Sequence, residues 1–459
     1  MNILVTGAGG YIGRHLIPEL LRAGHRVRAL SRNPDRLSLP TTVERARGDV
    51  LDRLSLQCAL EGIDIAYYLV HSMEKSAVDP RSFRERDREA ARNFLDAAEV
   101  ARVKRIIYLG ALGDKSVELS PHLASRIEVG DILQSGKTPT TVFRAAIVVG
   151  PWGSSFQMIQ KLVEKLPVMI TPRWVETPCQ PIALTDVLYY LVHCLDIPET
   201  VGKTFDIGGP DILSYRDMMR SFADLLNRRC LILSVPVLTP RLSSYWINLV
   251  TPVRASLARP LIDGLRHPVV CRDDTVQSIM PHTCLPYRES VQRALDQQGY
   301  GTISRTETGY NLTWRQWING TPEQLMDFFG TPQNLIPMTP ERLQFRLLKP
   351  YPERLEAGTR LQYSLRIFGM KVRWQSLITC WDTPTRFSDR QLRGPYKRWD
   401  HTHTFEAKDG GSWVYDSVAY DLPLGILGRM AHPLMVAPKL RSIFEFRSRQ
   451  LHQLSQLWA

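Results

Sequence analysis

The sequence predicts an α/β, doubly wound parallel sheet over residues 1–297 and an α+β domain over 311–459, with 298–310 as a linker. Three observations lead there. Short apolar strands alternate with helical patterns from Asn2 onward, which implies a parallel sheet covered on both faces. Gln297 to Tyr310 is polar and rich in Gly, Thr and Ser, as linkers are. Seven of the ten tryptophans follow it, in runs with the two-residue period of strands.

Asn2 to Thr6 reads as a buried strand and Gly7 to Gly13 as a turn. Leu16, Ile17, Leu20 and Leu21 recur at helical spacing, Pro18 marks a kink, and Gly24 ends the helix. Val27 to Leu30 is the second strand. Further strands are expected at Ile65–Val70, Arg105–Leu109 and Thr141–Val149, with helices at Ser82–Val100 and Leu123–Gln134 between them. Phe205 to Ile207 and a helix from Ser214 to Leu226 extend the pattern. Beyond the linker, Asn311–Ile318 alternates and Pro322–Phe329 is a short helix. Alternating runs follow at 341–349, 359–368, 371–381, 385–405 and 412–421, with helical texture from Leu427.

Thr6-Gly7-Ala8-Gly9-Gly10-Tyr11-Ile12-Gly13 lies between a strand and a helix. The first glycine permits a tight turn, Gly9 and Gly10 let backbone approach a pyrophosphate, and Gly13 allows close helix packing. The pattern predicts a dinucleotide site on a Rossmann-type domain. Cofactor choice is read at the end of the second strand. A carboxylate there would hold the ribose hydroxyls of NAD(H). This chain has Ser31-Arg32, with Arg36 and Arg14 nearby, which favours the extra phosphate of NADP(H) over NAD(H). Asp49-Val50, after a third strand-like segment, is expected to flank the adenine.

The glycine turn, Gly48-Asp49-Val50 and the strand Arg144–Gly150 resemble the extended and atypical short-chain dehydrogenase/reductases. The likeness is to their NmrA-like and complex-I-accessory-subunit-like branch and covers about residues 1–297. Tyr68 to Met73, Pro172 to Trp174 and Pro181 to Leu184 are similar to a bacterial group within it, and the resemblance adds His71 to the cofactor-binding residues. Active relatives carry a Tyr-x-x-x-Lys pair with a Ser upstream. The matching stretch here reads His122-Leu123-Ala124-Ser125-Arg126, and the upstream strand ends Gly110-Ala111. Two readings stand. His122 serves as proton donor and Arg126 holds ribose hydroxyls, or the domain binds the cofactor without reducing carbonyls. Hydride transfer to a quinone or flavin would need no tyrosine. Tyr108 and Ser116 are close in sequence, with no geometric reason to promote either.

Phe328-Phe329, Pro332, Asn334-Leu335, Arg390-Gln391, Gly394-Pro395-Tyr396 and the run from Trp399 to Phe405 resemble the START-like (SRPBCC) helix-grip fold over about Thr313–Arg447. That resemblance implies an apolar small-molecule ligand. Trp399, His401, His403 and Phe405 share one strand face, which with Trp374 makes an aromatic pocket wall carrying two polar anchors. Paired histidines are also commonly structural, and two alone do not make a metal site, so no metal is predicted.

The formal charge of +12 favours anionic ligands or surfaces, but the basic residues form no block. No nucleic-acid reader motif occurs, so nucleic acid is not an expected partner. Seven cysteines without a C-x-x-C pair argue against a disulfide scaffold and fit a reducing, cytoplasmic compartment. A strand beginning at Asn2 leaves no room for a signal peptide. Arg241 to Leu265 mixes apolar and basic residues. It reads either as a peripheral contact with the inner membrane surface or as a helix packed on the first domain.

Overall fold

The computed structural model describes residues 1–71, 82–113, 119–235, 266–367, 369–423 and 425–458. Ser116 and the Arg241–Leu265 stretch lie outside them. The chain divides into two compact units, Met1–Ala294 and Leu295–Ala459.

The first unit is built on seven strands. They are β1 (Asn2–Thr6), β2 (Arg26–Ser31), β3 (Glu44–Arg47), β4 (Ile65–Tyr68), β5 (Arg105–Ala111), β6 (Thr140–Ala145) and β7 (Thr204–Ile207). Their order is β7-β6-β5-β4-β1-β2-β3, with every neighbouring pair parallel. Chain direction across the sheet reverses between β1 and β4, and ligands of open α/β sheets bind in the crevice at such a point. Side chains alternate across the sheet. Ile3 and Val5 pack with Leu16, Ile17 and Leu20 on one face, while Leu4 packs with Leu56, Phe94 and Leu133 on the other. Helices α1 (Tyr11–Arg22) and α5 (Leu184–His193) thus cover one face. Helices α2 (Arg53–Leu60), α3 (Phe83–Val100) and α4 (Pro121–Gln134) cover the other.

Pro18 does not end α1, which runs on to Arg22. The strand expected over Thr141–Val149 stops at Ala145. Val148–Val149 instead pairs with Ile182–Ala183 outside the main sheet.

The second unit is an eight-stranded antiparallel sheet. Its strands are β8 (Tyr300–Thr306), β9 (Gly309–Ile318), β10 (Arg346–Leu347), β11 (Arg360–Ile367), β12 (Met370–Asp382), β13 (Arg386–Arg393), β14 (Arg398–Lys408) and β15 (Gly411–Asp421), in the order β8-β9-β15-β14-β13-β12-β11-β10. Helix α6 (Pro322–Gly330) follows β9, and α7 (Ala437–Ser455) closes the chain. Leu440, Phe444, Ser448 and Leu451 recur at helical spacing and form the buried stripe of α7. Leu440 and Phe444 pack on Leu312, Trp314 and Val418 of the sheet. The Trp314 indole N–H also donates to Ser448 Oγ at 2.8 Å.

Three expectations are corrected here. The linker at 298–310 is mostly strand, because β8 pairs with β9 through a two-residue hairpin turn. It reads as polar because it is the outermost strand and largely exposed. The run 385–405 is two strands, broken at Gly394-Pro395. Within 341–349 only Arg346–Leu347 is extended, since Gln344 takes a left-handed backbone with φ of 45°.

Candidate functional site

Gly7 follows β1 with φ of +65°, and a Cβ there would stand 2.7 Å from the Leu69 carbonyl oxygen. Only glycine fits that approach. A Cβ on Gly13 would collide with the Gly7 carbonyl oxygen, so the turn also sets how closely α1 packs. The Gly10 N–H donates to the Gly7 carbonyl at 2.8 Å. Gly10 caps α1 without a side chain and the first turn holds no acid, which leaves amide N–H groups and positive helix dipole for an anion. Gly9 and Gly10 are exposed, and Tyr11 and Ile12 pack against the apolar face of the sheet. The buried Tyr11 hydroxyl has no hydrogen-bond partner among the described residues. A cradle that tolerates no Cβ, beside an orphaned hydroxyl, fits a bound dinucleotide.

Ser31 ends β2 and Arg32 follows it, exposed and without an ion pair among the described residues. The nearest acid in sequence, Asp35, pairs with Arg47 at 3.2 Å. Asp49 structures its own turn by accepting the Leu51 N–H at 3.1 Å, and Val50 packs at the margin of the second core face.

His71 lies two residues beyond Leu69, just after β4. Its Nδ1 is 2.8 Å from Asp87 Oδ2 on α3, and its Nε2 is 3.0 Å from His122 Nδ1 in the first turn of α4. Ser125 Oγ donates to the same Asp87 oxygen at 3.0 Å. Burial lowers the His71 pKa, with Asp87 opposing it. Burial, then the neighbouring His71 and Arg126, pushes His122 down to about 3. Both rings are therefore neutral near pH 7. An ionised carboxylate only accepts, so His71 carries its hydrogen on Nδ1. Its Nε2 then accepts from His122 Nδ1–H, and the free lone pair of His122 is on Nε2. These tautomers are assigned from the network.

Arg126 donates to the Leu109 carbonyl and lies over the Tyr108 ring, 5.2 Å from its centroid. Tyr108 donates to the Arg126 carbonyl at 2.8 Å, and burial pushes its hydroxyl up to about 12. It is a packing residue. Asp87 is the partner that sequence reasoning missed. Its one signal is an acid among the buried positions of an otherwise polar helix.

In the second unit, a cavity of about 250 Å³ is lined by apolar side chains together with Trp374, Trp399, His401 and His403. Phe405, expected on the same wall, packs deeper against Phe329 with ring centroids 5.6 Å apart. Two carboxylates unremarked in the sequence reach the histidines by strand pairing. Asp389 on β13 is in register with His401, and Asp416 on β15 with His403.

Residues 7–144 match the family model described as NAD(P)H-binding. Photosystem II assembly factor Ycf39 of Trieres chinensis is 25% identical over 212 residues, 46% of this chain and 64% of that protein. Sterol demethylase protein B of Methylococcus capsulatus is 30% identical over 175 residues, 33% of this chain and 53% of that protein. The chain thus spans between half and two thirds of these relatives. Citrobacter sp. triphenylmethane reductase, solved with NADP(H), superposes with a TM-score of 0.51 at 18% identity, covering 64% of this chain and 100% of that one. That likeness is one of fold. Among the described residues no helix is long and apolar enough to cross a membrane.

Proposed function

We propose, from an N-terminal unit that carries an NAD(P)-binding domain of the short-chain dehydrogenase/reductase type, that this chain is an NADP(H)-dependent oxidoreductase acting on an apolar small molecule. The Asp87–His71–His122 chain carries the proposal. Of the three, His122 is the residue that aligns with the tyrosine of the Tyr-x-x-x-Lys pattern, and it offers a neutral imidazole whose Nε2 has no hydrogen-bond partner among the described residues. In the oxidative direction His122 Nε2 takes the proton of an alcohol. In the reductive direction it gives a carbonyl oxygen a proton first taken from water. Asp87 and His71 fix its tautomer, and Asp87 favours the charge it gains. A bound NADP(H) supplies or accepts the hydride. Arg32, exposed at the end of β2, is the group offered to a ribose phosphate.

The second unit fits a START-like helix-grip domain. Its long terminal helix packs on an antiparallel sheet, and its cavity is mostly apolar. We assign that cavity to an apolar ligand. A second reading has the chain sense a dinucleotide or assist assembly without turnover. The missing Tyr-x-x-x-Lys pair and the relative named as an assembly factor favour it.

Mass spectrometry of what co-purifies with the whole chain, followed by NADPH oxidation with that compound and with apolar quinones, aldehydes and ketones, separates the two. Substrate-dependent oxidation is expected. NADPH binding with no oxidation by any of them would leave the sensing reading.

A further inference from the structure

On the polar wall of the C-terminal cavity, strand pairing sets two histidines beside two carboxylates. Asp416 Oδ1 is 2.6 Å from His403 Nδ1 and 3.0 Å from His401 Nε2. Asp416 is thus an acceptor, and both of those ring nitrogens carry hydrogen. With Nδ1 turned to Asp416, His403 has Nε2 as its other ring nitrogen. His401 Nδ1 is 3.8 Å from Asp389 Oδ1. Asp389 accepts the Ser376 hydroxyl at 3.0 Å and retains further lone pairs.

Asp389, His401 and His403 meet at the cavity wall. One potential ligand atom from each of Asp389, His401 and His403 lies within 4.8 Å of the other two. An ion binding them at about 2.0–2.2 Å would need them to close by roughly 1 Å. Asp416 does what a carboxylate behind metal-bound histidines does: it takes the other ring N–H, fixes the tautomer and makes the ring a better donor. Arg447 approaches from the Asp416 side, 3.8 Å from its Oδ1 and 3.4 Å from His403 Nδ1.

We propose that Asp389, His401 and His403 bind one divalent first-row transition ion, such as Zn²⁺ or Fe²⁺, with its remaining positions open to the apolar cavity. Two nitrogens and one carboxylate suit such ions better than Mg²⁺ or Ca²⁺. Sequence reading assigned no metal because two histidines are too few, and strand pairing supplies the third ligand. The proposal is independent of the dinucleotide.

The test uses the whole chain, free of any affinity tag, stripped with chelator and titrated with Co²⁺. Uptake is followed by visible absorption and equilibrium dialysis. One equivalent is expected, displaceable by Zn²⁺. Asp389→Asn should weaken uptake more than about tenfold, and Asp416→Asn by about 10- to 100-fold. Cys284→Ser, which alters another group of possible ligands formed with Asp186 and His282, should leave this uptake unchanged. No stoichiometric uptake, or uptake lost in Cys284→Ser but kept in Asp389→Asn, would overturn the proposal. Should Asp389→Asn unfold, the wild-type spectrum decides. Nitrogen and oxygen donors give no thiolate-to-cobalt charge-transfer band, whereas such a band moves the ion to a cysteine and removes it from this site.

Discussion

His122 Nδ1 stands 3.0 Å from His71 Nε2, and His71 reaches Asp87 at 2.8 Å through its other nitrogen. One acid therefore sets the hydrogen positions of two rings. Selective ¹⁵N labelling of the histidines should show both rings neutral near pH 7, each protonated on Nδ1. In Asp87→Asn, His71 should lose that single tautomer. A His122 ring protonated on Nε2 in the wild type would break the chain as drawn.

Acid should weaken the first unit. Burial, then His71 and Arg126, depresses the folded-state pKa of His122 to about 3, whereas an unfolded histidine titrates near 6.5. Between those values the unfolded state binds a proton that the native state refuses. The stabilisation is full above about pH 6.5 and is lost as pH falls toward about 3. Thermal melting of the NADPH-responsive transition at about pH 7.5 and about pH 5 should show the drop, and His122→Phe should reduce it, leaving the share of His15, which burial holds at about 4. An equal drop in the variant would remove His122 as its source.

Gly13→Ala should cost about 1–3 kcal/mol, because the new Cβ meets the Gly7 carbonyl backbone rather than a side chain that can turn away. NADPH affinity should fall with it, since the same turn forms the cradle. Thermal melts and NADPH fluorescence titration read the two effects, and an unchanged affinity would detach the turn from the cofactor.

Arg32→Glu should weaken NADPH by roughly 10- to 100-fold, the worth of one charge-assisted hydrogen bond, while leaving NADH nearly unchanged. Isothermal titration with both cofactors checks it. Parallel losses for the two would mean that Arg32 does not meet the phosphate.

Local chemistry made much of the first unit legible. The glycines of residues 7–13, the helical stripe Leu16-Ile17-Leu20 and the apolar strands all follow from near neighbours in sequence. Partnerships made by the fold were not legible. Asp87 meets His71 because α3 packs beside the end of β4, and no spacing in the chain reports that. Asp389 and Asp416 meet the histidines only through the pairing of β13, β14 and β15. The strand at Tyr300–Thr306 was hidden because an outermost, solvated strand carries no apolar stripe. Phe405 shares the period of His401 and His403, yet the cavity ends before it.

Single-turnover oxidation of bound NADPH by an apolar acceptor, in wild type and in His122→Phe, tests the proton chain most directly. The account predicts a loss of about 10²- to 10⁴-fold in rate with NADPH affinity unchanged. Equal rates in the two proteins would contradict it.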